Sequence, residues 1–163
     1  LGLIKRKALM IKINVISGNK AWFQHIRYPD KYIESKIHKI NKKYKKFKQK
    51  KIYCTLLLSG TSEIKRLNKK FRKKNKSTDV LSFPFYDKKD FLKKLVTEKE
   101  IYLGDIIINF DKVMFKKNKS KFLVEFNKLW IHGLVHLFGF DHKKNKDFKV
   151  MKKVEKELLS YIN

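Results

Sequence analysis

The sequence has one cysteine, Cys54, so no intramolecular disulfide can brace the fold, and a reducing cytoplasm is the natural compartment for such a chain. Cys54 lies in an apolar, strand-like run and reads as a core residue. No apolar stretch reaches the roughly 18 residues of a membrane span. The basic start, LGLIKRKAL, is not followed by the hydrophobic region of a signal peptide, and residues 1–9 read as a mobile extension ahead of the patterned sequence. Acid is scarce: 15 Asp and Glu stand against 42 Lys and Arg, a formal charge of +27. A field of that sign attracts polyanions, nucleic acid first among them. Arginine is scarce too, at four positions, and a lysine excess of this kind also arises from base-biased genomes, so the total charge favours RNA only weakly. Its distribution says more, because Ser35 to Ser62 carries nine lysines and no acid.

What is present suffices for a folded domain. An apolar share of 42% with 13% aromatics excludes wholesale disorder, and 163 residues suit one core. Met10 to Ser17 alternates as a half-buried strand does. Pro29 and Asp30 open a helix running to about Phe47, with Ile33, Ile37, Ile40, Tyr44 and Phe47 inward and the lysines outward. Lys51 to Ser59 reads as a buried strand, followed by a Thr61 cap and a helix over Ser62 to Arg72 with Ile64, Leu67 and Phe71 inward. A polar loop leads to a strand at Val80 to Phe85, which Pro84 confines to an edge. Asp87 to Glu100 reads as a charged surface excursion. Tyr102 to Phe110 is another strand, with Gly104 marking a bend or close contact. Asp111 caps a short helix, Ser120 starts a long apolar one, and Lys146 to Tyr161 closes the chain through Val150, Val154, Leu158 and Leu159. There are no repeats and no linker. This order implies an α+β class: residues 10–163 as a single domain, a mixed sheet of about four strands packed on a central helix with flanking helices.

That central helix carries HGLVHLFGFDH, His132 to His142. His132 and His136, four residues apart, share one helix face. Gly139 can end the helix in a left-handed conformation, which lets His142 return as a third ligand. Three imidazoles with a fourth tetrahedral position open is how a catalytic zinc site is built, whereas a closed structural site calls for a fourth protein ligand. His25 and His38 have no partner at ligand spacing and read as ordinary structure. The spacing matches the zinc-peptidase pattern HExxHxxGxxH at all but one place. There Gly133 stands where the peptidases carry their glutamate base, which weighs against peptidase chemistry.

HGLVHLFGFDH resembles the HGxLHLxGYDH motif of the YbeY-type endoribonucleases, which act in ribosomal RNA maturation. Two further blocks agree: LNKKFRKKNKSTDVLSFPF (Leu67 to Phe85) is similar to the family's LNxxYRxxxxPTDVLSFPF, and LGDIIIN (Leu103 to Asn109) to its LGDIxI strand. Met151 and Glu155 also fall where the family's last helix carries such residues. Phe140, Val135 and Ser77 depart from the pattern, replacing tyrosine, leucine and proline. The resemblance implies a single-domain, zinc-dependent endoribonuclease that prefers single strands, trims the 3′ end of small-subunit ribosomal RNA and takes part in ribosome quality control. It implies one zinc ion per chain on His132, His136 and His142, an essential arginine at Arg72, and ribosomal RNA and the small ribosomal subunit as partners, with no membrane. Arg72 also makes sense by itself, since a guanidinium can grip a phosphate through two parallel hydrogen bonds. Asp105 and Asp141 are candidate bases, or else turn-forming and ligand-orienting residues. The rival readings are a ribosome-associated binding module with a structural metal, and a zinc peptidase.

Overall fold

Alternating burial along Lys51–Ser59 organises the sheet. In this strand, β2, Ile52, Cys54, Leu56 and Leu58 are fully buried and the residues between them are not, the signature of a strand pressed on one face by a deep core. The computed structural model describes residues 10–44 and 49–163. The extension expected at residues 1–9, and Phe47 at the expected end of the first helix, lie outside the described residues. β1 (Met10–Ser17) pairs parallel with β2, which pairs parallel with β4 (Glu100–Asn109). β3 (Val80–Pro84) adds antiparallel to β4, giving the order β1-β2-β4-β3. The sheet is therefore mixed and four-stranded, as expected.

β4 contains a bulge. The β2 register jumps from Tyr53↔Tyr102 to Thr55↔Asp105, so Leu103 and Gly104 together oppose Cys54. An extra residue reverses side-chain parity. Ile101 and Leu103 face the core before the bulge, and Ile106 and Ile108 face it after. Gly104 adopts φ +129°, and a Cβ there would come within 2.1 Å of the Phe83 carbonyl oxygen. Both the bend and the close approach read from the sequence are real.

β3 is an edge strand. Phe85 N–H donates to Leu103 O, and Asn109 N–H to Asp79 O. Antiparallel alternation then turns the backbone groups of Val80, Ser82 and Pro84 outward. Pro84, which has no N–H, stands where none is needed.

The helices divide unequally over the two faces. α1 (Pro29–Lys43) packs on β1, α4 (Lys119–Leu137) packs on β3 and β4, and α5 (Asn145–Ile162) packs on α4 and α1. Trp22, Phe122, Phe126 and Trp130 fill this main core. Trp22 belongs to a 3-10 turn, Lys20–Gln24, and its indole N–H donates to Ser59 O at 3.0 Å. Among the described residues the other face holds α2 (Thr61–Arg72), over a small cluster of Ile64, Leu81 and Ile107.

Several expectations shift. Asp87–Glu100 is not an irregular excursion: Asp87 caps α3 (Lys88–Thr97) by accepting from Asp90 N–H at 2.8 Å, with Phe91 inward. Residues 98 and 99 join α3 directly to β4. Thr61 is the first residue of α2 rather than its cap, and Asp111 does not cap its own short turn. Its carboxylate accepts from Thr61 N–H at 3.1 Å, a cap supplied from 50 residues away. Phe71 was expected inward and is 58% exposed. On α5 the buried stripe runs Met151, Glu155, Leu158 and Ile162; of the expected line Leu158 is fully buried, Val154 and Leu159 pack half-buried beside it, and Val150 is exposed.

Candidate metal centre

From Leu129 to its end α4 is apolar nearly all round, and no residue of that stretch is exposed. It approaches the sheet closely at Gly133, where a Cβ would lie 2.5 Å from Ile106 Cγ2 and 3.2 Å from Ser82 Oγ. The helix can lie this low on the sheet only with glycine there. A glutamate at position 133 would be driven into Ile106, so the sheet itself forbids the peptidase base.

The end of α4 sets the ligands. Gly139 takes φ +86°, its N–H donates to His136 O at 2.9 Å, and Phe140 N–H donates to Val135 O at 3.3 Å. This is the paired bonding of a Schellman turn. It aims the Phe140 carbonyl back at the helix, where it accepts from His136 Nδ1 at 3.0 Å. A carbonyl only accepts, so Nδ1 carries the hydrogen and Nε2 presents its lone pair. His132 is fixed in the same way from α5, with its Nδ1 donating to Glu155 Oε1 at 2.6 Å. Burial alone lifts the Glu155 carboxyl, but the hydrogen bonds from His132 and Lys152 more than reverse this and hold it below its ordinary value. Glu155 is thus ionised, and its second oxygen meets Lys152 Nζ at 2.7 Å.

Two acceptor lone pairs then converge, with His132 Nε2 and His136 Nε2 3.1 Å apart. When both rings are neutral, neither Nε2 carries a hydrogen for the other, and a cation between them relieves the repulsion. Tetrahedral zinc at bonds of about 2.0–2.1 Å would set two nitrogens about 3.3 Å apart. His142 completes the set: one ligand atom from each of His132, His136 and His142 lies within 4.8 Å of the others. Burial, then the neighbouring His132, pushes the His136 imidazole below its ordinary pKa, which favours the neutral, ligating form. The donor set fits a zinc ion.

Other expected residues fall out differently. Arg72, the last residue of α2, donates from Nη2 to Ser82 O at 2.7 Å and lies over the Phe83 ring, 5.6 Å from its centroid. Ser82 Oγ in turn donates to Gly133 O at 3.3 Å, so Arg72 grips the outer edge of the strand on which the histidine helix rests. Asp141 Oδ1 accepts the His142 N–H at 2.7 Å, a turn-forming contact. Burial lifts its carboxyl, and the His142 amide and Lys143 ammonium overcome that and lower it. Asp105 accepts from the Tyr102 hydroxyl at 2.5 Å. His25 packs on Phe110 and Phe122 with Nε2 at 3.0 Å from Lys116 O, and His38 is exposed on α1. The orienting role of Glu155 was not read from the sequence. The signal was an acid on the apolar stripe of an amphipathic helix, and the partly misplaced stripe concealed it.

A triple-imidazole centre on an α+β scaffold defines a candidate metalloenzyme. Comparison with known proteins narrows this. The sequence model described as Endoribonuclease YbeY matches residues 19–163, so the chain belongs to the YbeY endoribonuclease family. It is similar to the Endoribonuclease YbeY of Pelagibacter ubique (strain HTCC1062), 45% identical over 94% of this chain and 97% of that one. The Endoribonuclease YbeY of Ehrlichia canis (strain Jake) is 34% identical over 92% and 91%. A Thermotoga maritima protein whose structure was determined in solution shares the fold, with a TM-score of 0.54 at 24% identity over 94% of this chain and 89% of that one. No helix among the described residues is long and apolar enough to cross a membrane.

Proposed function

We propose that residues 10–163 form a single catalytic domain, a zinc-dependent endoribonuclease that acts in the cytoplasm on the 3′ end of small-subunit ribosomal RNA and serves ribosome quality control in contact with the small subunit. One zinc ion per chain sits on His132, His136 and His142, and Arg72 is the catalytic cation. The observation that carries this reading is the convergence of two Nε2 lone pairs at 3.1 Å, each locked by a hydrogen bond on its own Nδ1, in a chain of the YbeY family.

Bound zinc supplies Lewis acidity toward a phosphate oxygen and lowers the pKa of water. The chain's own groups do the rest. Glu155 and the Phe140 carbonyl hold two imidazoles in the ligating tautomer, which keeps the centre pre-formed. Arg72 spends one N–H on Ser82 O, which fixes the guanidinium plane and leaves further donors of the fork for a phosphate. Among the described residues no carboxylate pairs with Arg72, so its charge is available to phosphate oxygens as negative charge builds on them.

The peptidase alternative loses its base to the Gly133 contact. A purely structural metal calls for a fourth protein ligand, and among the described residues the cluster offers three histidines. The test is metal content by mass spectrometry together with cleavage of precursor small-subunit RNA. Wild type retains about one zinc and cleaves. His136→Ala loses both metal and cleavage. Arg72→Ala keeps the metal and slows cleavage by about 10²–10³-fold. Equal cleavage by all three proteins refutes the assignment.

A further inference from the structure

On the α2 side the sheet is half covered. α2 seals Leu81 and Ile107, but the same face of β3 continues through Phe83 to Phe85, and Phe85 is 66% exposed. The Tyr102 ring of β4 lies 6.0 Å from that of Phe85. From the last turn of α2, exposed Phe71 meets Phe83 at 5.4 Å. The result is two aromatic pairs on one face, Phe71–Phe83 and Phe85–Tyr102, with Phe71, Phe85 and Tyr102 exposed and Phe83 half-buried between them. Beside it a shallow groove along α2 is lined by Arg66, Lys69, Lys70 and Lys73, with no acid among the lining residues. Lys70 Nζ lies 5.2 Å from the centroid of the Phe71 ring. Lys73 holds its cation in place with a left-handed backbone, φ 58°, where glycine would be the cheaper residue. Asp105, an acid on this face, is tied to the Tyr102 hydroxyl. Of the α2 cations Arg66 meets an acid, Glu63 at 3.8 Å, and Lys69, Lys70 and Lys73 make no ion pair among the described residues. Exposed rings flanked by such cations suit one ligand chemistry, flat heteroaromatic bases strung on phosphates.

We propose that this open half-sheet is a stacking surface for single-stranded RNA. Bases lie on Phe71, Phe85 and Tyr102, and phosphates lie on the α2 cations. At Arg72, bonded to the outward Ser82 carbonyl, the strand crosses the β3 edge toward the histidine helix. The identity of the ligand rests on the endoribonuclease reading above. The surface accepts unpaired bases of any sequence and refuses a duplex, whose bases already stack on one another.

The test uses the full chain with zinc and a fluorescein-labelled 2′-O-methyl oligonucleotide of roughly a dozen nucleotides, followed by fluorescence anisotropy across a salt series. Phe85→Ala binds about tenfold more weakly with the salt slope unchanged, and Phe85→Tyr restores affinity. Lys70→Ala lowers the slope of log K against log salt by about 0.7. In Phe85→Trp the new indole is quenched by the single strand and not by a duplex of the same length. Wild-type affinity in Phe85→Ala, or an unquenched indole in Phe85→Trp, overturns the proposal and leaves the face to a protein partner. Cleavage of precursor RNA is read separately. A wild type that cleaves while Phe85→Ala binds normally removes the stacking surface and keeps the nuclease. Quenching without any cleavage keeps the stacking surface and removes the nuclease.

Discussion

The two faces of the sheet are built to different standards. On the α4 face the two helical rings of the candidate metal centre are each held by a second group, His132 by Glu155 and His136 by the Phe140 carbonyl, and the Glu155 carboxylate is held in turn by Lys152. Under it lies the main core, with Trp22, Trp130, Phe122 and Phe126 fully buried. On the α2 face three buried residues make the whole cluster, and long lysines and exposed rings make up the rest. The contrast shows where tolerance lies. Coordination needs atoms fixed to tenths of an ångström, so it sits on dense packing. Contact with a flexible polyanion needs charge and flat surface, which a thinly covered face supplies.

The largest expected effect tests whether the dense face tolerates insertion. Gly133→Glu pushes a carboxylate into Ile106 and Ser82 and is expected to abolish cooperative folding by circular dichroism. Gly133→Ala is milder. Its helix propensity gains about 1 kcal/mol, but a Cβ 2.5 Å from Ile106 costs about 1–3 kcal/mol in overpacking, so net destabilisation is expected in urea unfolding. A more stable Gly133→Ala protein would falsify the close-approach argument. Next comes Glu155→Gln, which keeps an acceptor for His132 and loses the charge. Zinc affinity, measured by competition with a chelating dye, should fall about 10–100-fold while the fold persists. Gly139→Ala forces a side chain to φ +86° and should cost about 1–2 kcal/mol of stability, read as a lower urea midpoint at unchanged slope. The smallest effect belongs to the open face. Lys73→Gly relieves a left-handed lysine and should gain up to about 1 kcal/mol by the same measurement, while RNA affinity declines. Opposite signs for stability and binding at one residue are what the contrast between the faces requires.

Much of the fold was legible because periodicity is a backbone property. The alternation of β2, the Ile33–Ile37–Ile40 stripe of α1 and the edge position implied by Pro84 all reappear in the structure. The three histidines were legible because their spacing is local: a helix turn and a glycine stop bring them together. What the sequence concealed is non-local or set by competition. Asp111 caps a helix that begins 50 residues earlier, and no window of sequence contains that contact. Phe71 sits at helical spacing from Ile64 and Leu67, yet α2 overhangs the end of its small cluster and leaves the ring outside. The stripe of α5 was partly misplaced because Val150 and Val154 are apolar and Glu155 is not, whereas His132 draws the carboxylate inward. α3 went unseen because its lysines outweigh Phe91, and a short helix with one buried ring has little periodicity to show.

The turn that stops α4 has a consequence for how the enzyme matures. The same six residues that halt the helix also choose which nitrogen of His136 faces the ion and deliver His142. Ligand geometry and chain termination are therefore set by one turn, and His142 is the exposed member of the three. If zinc binds as proposed, its loading should slow hydrogen exchange at the Gly139 and Phe140 amides well before it alters any amide of β2, the result expected of an ion that clasps a domain already closed behind it.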